Sequence, residues 1–176
     1  MKKLHDVILH IDEESKEFLE ESSFEQALIL KPTLGSGSRG VQIVSSKTEV
    51  CYKKIWQLSM EPVNYEGHLL VEEYILGRQL DANGIFFNNK YFKAGTLEKF
   101  VSNPPNCLPI CGQDPADINQ EIENDIHNIL EKSSRCLGLA EGPVKGDFIL
   151  SPKNKLYVLE VAPRLHGDVT TCNTLP

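Results

Sequence analysis

The run that most restricts what this chain can fold into is Gly35-Ser36-Gly37-Ser38-Arg39-Gly40. It lies between the apolar Ala27-Leu28-Ile29-Leu30, which stops at Lys31-Pro32, and the alternating Val41-Gln42-Ile43-Val44. Strand formers on both sides make the glycines a strand-to-strand connection and not the opening of a helix. A dinucleotide-binding loop feeds a helix, and a P-loop needs Lys-Ser or Lys-Thr where Val41-Gln42 stand, so both are disfavoured. A hairpin flap remains. Its small residues let backbone N–H groups approach an anion closely, and Ser36, Ser38 and Arg39 add donors and charge. A plain surface hairpin suits the same residues.

At 176 residues the chain is long enough for one good core or two small lobes, and one compact unit is expected. A net charge of −7 without a basic cluster argues against a nucleic-acid surface. Positive groups must then be placed locally wherever an anion is held. Five cysteines (Cys51, Cys107, Cys111, Cys136, Cys172) form no CxxC pair, which excludes a zinc ribbon and gives no disulfide framework. A reducing cytoplasm is the expected compartment. No apolar stretch is long enough for a signal peptide or a membrane span, so a soluble protein with no membrane partner is expected.

Residues 13–26 read as an acidic helix and 48–58 as a second helical segment. His68-Leu69-Leu70-Val71-Glu72-Glu73-Tyr74-Ile75 reads as a strand broken by Gly77. Residues 85–92 read as a β-hairpin turning at Asn88-Asn89. The stretch 103–115 holds four prolines and reads as a loop. Ile118, Ile122, Ile126, Ile129 and Leu137 recur at helical spacing, predicting an amphipathic helix over 116–137 that ends near Gly138. Asp147-Phe148-Ile149-Leu150 and 156–161 read as strands joined by the turn Ser151-Pro152-Lys153-Asn154. The fold class is α+β: antiparallel sheets with a covering helix.

Asp147 and Glu160 fall on two paired strands at positions that can face one side. Hard oxygen ligands so placed suit Mg²⁺ when water and phosphate oxygens supply its remaining ligands. Two acids in a hairpin are also a common solvated face. Glu160, however, ends an apolar run, and Arg164 follows four residues later, after Pro163.

Taken in order, Leu30-Lys31-Pro32, the glycine run 35–40, Val71-Glu72-Glu73-Tyr74-Ile75-Leu76-Gly77, Gly146-Asp147-Phe148 and Glu160-Val161-Ala162-Pro163-Arg164 resemble the motifs of the ATP-grasp superfamily. The likeness is greatest to its carbamoyl-phosphate-synthase-like and amino-acid-ligase-like branches. The resemblance spans residues 24–170 and implies two α+β subdomains with antiparallel sheets that grip ATP. The implied division is an acidic lead over 1–23, a small subdomain with the flap over 24–71, a hinge at 72–77, and a large subdomain over 78–176.

The resemblance also implies roles. Lys31 would contact the α- or β-phosphate, and the flap residues Gly35, Ser36, Gly37, Ser38, Arg39 and Gly40 would cover the triphosphate. Glu72 would accept from the adenine amino group, the backbone of Glu73, Tyr74 and Ile75 would complete adenine recognition, and Gln79 would lie near the ribose. Asp147 and Glu160 would hold Mg²⁺, with Mn²⁺ as an alternative ion. Arg164 would steady an acyl phosphate or the incoming carboxylate. Apart from the resemblance, His166, just after Arg164, is placed by hypothesis near the acceptor, where it could accept a proton, and a partly buried loop histidine suits the same position. Position 147 is Asp where many relatives have Glu, and position 162 is Ala where many have a metal-binding Asn.

The implied activity is an ATP-dependent ligase that activates a small carboxylate as an acyl phosphate and joins it to an amine or similar nucleophile, releasing ADP and phosphate. Relatives extend beyond this stretch at both ends, so a truncated domain completed by missing parts or a second chain is expected. Two other readings stay open: a nucleotide-binding module without catalysis, and a kinase-like phosphotransferase. Against the latter, Lys31 precedes the glycine loop and neither HRD nor DFG occurs.

Overall fold

In a computed structural model, residues 7–10, 27–33, 37–38, 40–44, 68–103 and 108–167 are described. The helices expected over 13–26 and 48–58 lie outside these residues, as do Gly35, Ser36 and Arg39. The expectation of one compact unit is corrected. The chain divides into Met1–Tyr74 with Val101–Pro109, and Ile75–Phe100 with Ile110–Pro176.

The first unit holds a four-stranded antiparallel sheet of β1 (Val7–His10), β2 (Leu28–Pro32), β3 (Gln42–Val44) and β4 (His68–Glu73), in the order β1-β4-β2-β3. Strands β2 and β3 pair antiparallel through Ile29 opposite Ile43, so the glycine run does connect strand to strand. Gly37, Ser38 and Gly40 all have positive φ, the conformation for which small residues are suited. Leu28, Leu30, Ile43, Val44 and Val71 are buried and form this unit's core.

The second unit is built on a five-stranded sheet. Its strands are β5 (Arg78–Phe87), β6 (Lys90–Val101), β7 (Pro109–Gln113), β8 (Gly142–Leu150) and β9 (Leu156–Ala162), in the order β7-β6-β5-β8-β9. Helix α1 (Gln120–Cys136) covers one face. Leu80, Ala82 and Phe86 of β5 and Val144, Phe148 and Leu150 of β8 pack there against Ile126 and Leu130 of the helix. This apolar layer is the main source of the unit's stability.

Three sequence expectations are corrected by this sheet. The hairpin of 85–92 is the tip of two much longer strands, β5 and β6, although Asn88 and Asn89 make the turn with positive φ as expected. The proline-rich stretch contains β7, an exposed edge strand, where a proline's missing N–H costs no ladder bond. The helix begins at Gln120 rather than 116 because Asn119 caps it, its side chain accepting from the Ile122 N–H at 2.9 Å. Ala116 instead donates its N–H to the Thr96 carbonyl at 2.8 Å.

Two glycines are required by close approach. A β-carbon on Gly77 would meet the Leu150 carbonyl, and one on Gly84 would meet the Tyr91 ring. Under that face lies a buried polar triad. His127 of α1, 1% exposed, bonds the Tyr91 hydroxyl through Nδ1 at 2.7 Å and the Thr96 hydroxyl through Nε2 at 3.2 Å.

Candidate active site

Because side chains alternate along a strand, the residues of β5 that do not face α1 face the other way: Gln79, Asp81 and Asn83. The strand register then sets Lys99 of β6 opposite Gln79, Asp147 of β8 opposite Asp81, and Lys145 opposite Asn83. A bulge between β8 and β9 gives β9 one extra residue at Leu159, which brings Glu160 opposite Asp147 while Val158 stays opposite Phe148. Five charged side chains from four strands thereby share one face.

Their charges alternate in space. Lys99 Nζ lies 2.7 Å from Asp81 Oδ2 and 4.0 Å from Asp147 Oδ2. Lys145 Nζ lies 2.7 Å from Asp147 Oδ1 and 3.1 Å from Glu160 Oε1. The ring of His166 reaches Asp81 Oδ2, and the His166 N–H donates to Asn83 Oδ1 at 2.8 Å, tying the chain after β9 back across β5. Two carboxylates directly opposite repel, and the lysines between them offset that cost.

Burial pushes both aspartates up, and their partners divide them. For Asp81, His166 and Lys99 outweigh burial, and the group sits below its ordinary range. Asp147 is raised by burial and by the charge of Asp81, against the pull of Lys145 and Lys99. Neighbouring carboxylates whose affinities for protons are driven apart are a recurrent property of sites that handle charge.

The first unit supplies a separate group. Lys31 and Glu72 form an ion pair between neighbouring strands, both side chains largely shielded from solvent. Glu72 and Glu73 are the last residues of β4, Glu73 exposed, and the Tyr74 N–H already donates to the Ala27 carbonyl at 2.9 Å. Ile75 follows the strand.

Of the sequence-selected residues, Asp147 and Glu160 are brought together, Lys31 and Glu72 are brought together, and Gln79 lies on the charged face. Arg164 stands apart. It is exposed, and its guanidinium donates to the Leu165 carbonyl at 3.0 Å. Sequence reasoning missed Asp81, Asn83, Lys99 and Lys145. The available signal was period-2 alternation over 79–84, where Gln79, Asp81 and Asn83 interleave with Leu80, Ala82 and Gly84.

Whether these donors suit magnesium follows from their chemistry. Mg²⁺ takes hard oxygens and can keep most of its shell as water and phosphate oxygens. Asp147 and Glu160 offer such oxygens side by side. Among the described residues no group of three or more His, Cys, Asp or Glu is placed to hold a metal. Two carboxylates side by side suit an ion that takes the rest of its shell from water and phosphate oxygens. Among the same residues, no helix is long and apolar enough to cross a membrane.

The chain is thus α+β, with two antiparallel-sheet units, one carrying Lys31 before a glycine turn and the other a face of paired carboxylates and lysines. The chain belongs to the ATP-grasp family: the sequence profile of the ATP-grasp domain matches residues 24–173. The uncharacterized protein y4rH of Sinorhizobium fredii is 28% identical over 148 residues, covering 80% of this chain and 28% of that protein.

Solved structures share the fold. Biotin carboxylase from Campylobacter jejuni, in complex with β,γ-ATP, superposes with a TM-score of 0.72 at 20% identity, over 90% of this chain and 35% of that one. The L-amino acid ligase of Bacillus licheniformis gives 0.71 at 18%, over 92% and 36%. The N5-carboxyaminoimidazole synthetase of Staphylococcus aureus, complexed with ADP, gives 0.66 at 17%, over 92% and 40%. The chain thus spans less than half the length of each of these relatives.

Proposed function

We propose that this chain is the nucleotide- and magnesium-handling part of an ATP-dependent ligase that joins a small carboxylate to an amine or similar nucleophile. The observation that carries the reading is the alternation of Asp81, Lys99, Asp147, Lys145 and Glu160 on one sheet face. Family membership supports it, and three structural neighbours are, by name, a carboxylase, an amino acid ligase and a synthetase.

In this reading the substrate carboxylate attacks the γ-phosphorus of ATP, the bond to ADP breaks, and an acyl phosphate forms. The nucleophile then attacks the acyl carbon and phosphate leaves. Lys31 contacts the α- or β-phosphate on leaving Glu72, and the flap over 35–40 offers backbone N–H groups to the triphosphate. Glu72 and the backbone of Glu73, Tyr74 and Ile75 read adenine, with Gln79 near the ribose. Asp147 and Glu160 would hold Mg²⁺ or Mn²⁺, which when bound would neutralise charge on the phosphates. Arg164 steadies the acyl phosphate or the incoming carboxylate, since its planar fork suits both oxyanions. The division into 24–71, 72–77 and 78–176 assigns phosphate cover, adenine hinge and metal face in turn. Acceptor choice falls to further domains or a second chain, and the setting is cytoplasmic.

The test is a thermal melt of wild type and Lys31→Ala with and without Mg²⁺-ATP. A ligand at a hundred times its Kd stabilises by about 2.7 kcal/mol. The wild type is expected to shift and Lys31→Ala to lose the shift. A folded wild type that does not respond would overturn the reading.

A further inference from the structure

Lys145 is given no contact of its own in the mechanism just described, yet it is the most enclosed cation on its face. It is 3% exposed, and it precedes Asp147 by two residues, so both side chains leave β8 on the same side. Its ammonium lies between the two carboxylates assigned to the metal, at 2.7 Å from one and 3.1 Å from the other. Directly across β9 stands Ala162, whose methyl group offers no oxygen to a metal and nothing to draw the lysine elsewhere.

We propose that Lys145 is a built-in counter-cation that occupies the Asp147–Glu160 pair and keeps free divalent metal off it. The inference rests on the reading of Asp147 and Glu160 as metal carboxylates. Asp81, Asp147 and Glu160 face Lys99 and Lys145, which leaves the set close to neutral before any ligand arrives. A bare divalent ion would make the set positive and would meet the Lys145 ammonium at contact range, where the two cations repel. A metal that arrives with a polyphosphate brings the opposing negative charge. The pair therefore selects a metal–polyphosphate complex over the metal alone, and Lys145 sets that choice.

The experiment uses nucleotide-free protein with Mn²⁺ as a paramagnetic probe, its binding followed by electron paramagnetic resonance. Wild type is expected to bind Mn²⁺ weakly, and Lys145→Met to bind at one site at least about tenfold more tightly. Adding Glu160→Gln should return the affinity to the wild-type level. Equal Mn²⁺ affinity in wild type and Lys145→Met would overturn the proposal. Should Lys145→Met not fold, ¹⁵N-labelled wild type decides: the Lys145 ammonium resonance, protected by its carboxylates, should be unmoved by Mg²⁺ alone. Its displacement by Mg²⁺ alone would refute the proposal. No nucleotide is present in either experiment, so their outcome is independent of the Mg²⁺-ATP melt.

Discussion

The two faces of the five-stranded sheet are made by the same strands and could hardly differ more. On one, Leu80, Ala82, Phe86, Val144, Phe148 and Leu150 pack under α1, and the histidine there is held neutral between two hydroxyls. On the other, successive positions of the same strands carry Asp81, Lys99, Lys145, Asp147 and Glu160. The period of two lets one sheet divide its labour: the apolar face supplies the stability that the charged face, with its buried ions and opposed carboxylates, consumes. Substitutions on the two faces should therefore have opposite consequences for folding.

The largest expected effect is on the apolar face. Phe148 is fully buried at its centre, and Phe148→Ala should lower unfolding free energy by about 3–5 kcal/mol in a urea titration. A loss below about 1 kcal/mol would mean that this layer is not the stabilising one. Acid should expose the next effect. Burial, then the charge of Lys93, lowers the His127 pKa to about 4 from an ordinary value of 6.5. The unfolded chain takes up the proton first, so stability should fall by up to about 3 kcal/mol between these two pH values. The urea midpoint followed against pH should show that step in wild type and not in His127→Gln. If both fall alike, the groups responsible lie elsewhere.

The smallest effect, and the most discriminating, belongs to the charged face. Asp147 binds its proton more tightly in the folded protein than in the unfolded one, so its charge opposes folding above its unfolded pKa. Asp147→Asn should leave the neutral-pH melting temperature unchanged or slightly raised, within about 1 kcal/mol, with Glu160 still holding Lys145. A loss of about 3 kcal/mol or more, usual when a buried ion pair is broken, would show that the Lys145 contact outweighs burial.

Much of this arrangement was legible in the residues. The β-branched run after the glycines gave away the hairpin, the isoleucines of 118–129 gave away α1, and Asn88-Asn89 gave away the turn. The part of strand β5 over 78–84 was overlooked because Asp81, Asn83 and Gly84 are poor strand formers taken singly; their pairing on both sides overrides that preference. Strand β7 was hidden by prolines that an edge tolerates. Within the site, Asp147 and Glu160 could be matched because a short turn joins their strands. Lys99 and Asp81 come together only through a register set far from either, and no local pattern announces it.

The extra residue at Leu159 has a consequence for anyone who would copy this site. Counting by twos from Val158 alone would send Glu160 towards the helix; the bulge puts the strand out of step and delivers the carboxylate beside Asp147. Grafting Lys145, Asp147 and Glu160 onto a regular hairpin would therefore transplant the letters and lose the phase. One acid would be sunk among leucines and the pair never assembled. What must be inherited, or engineered, is the irregularity itself.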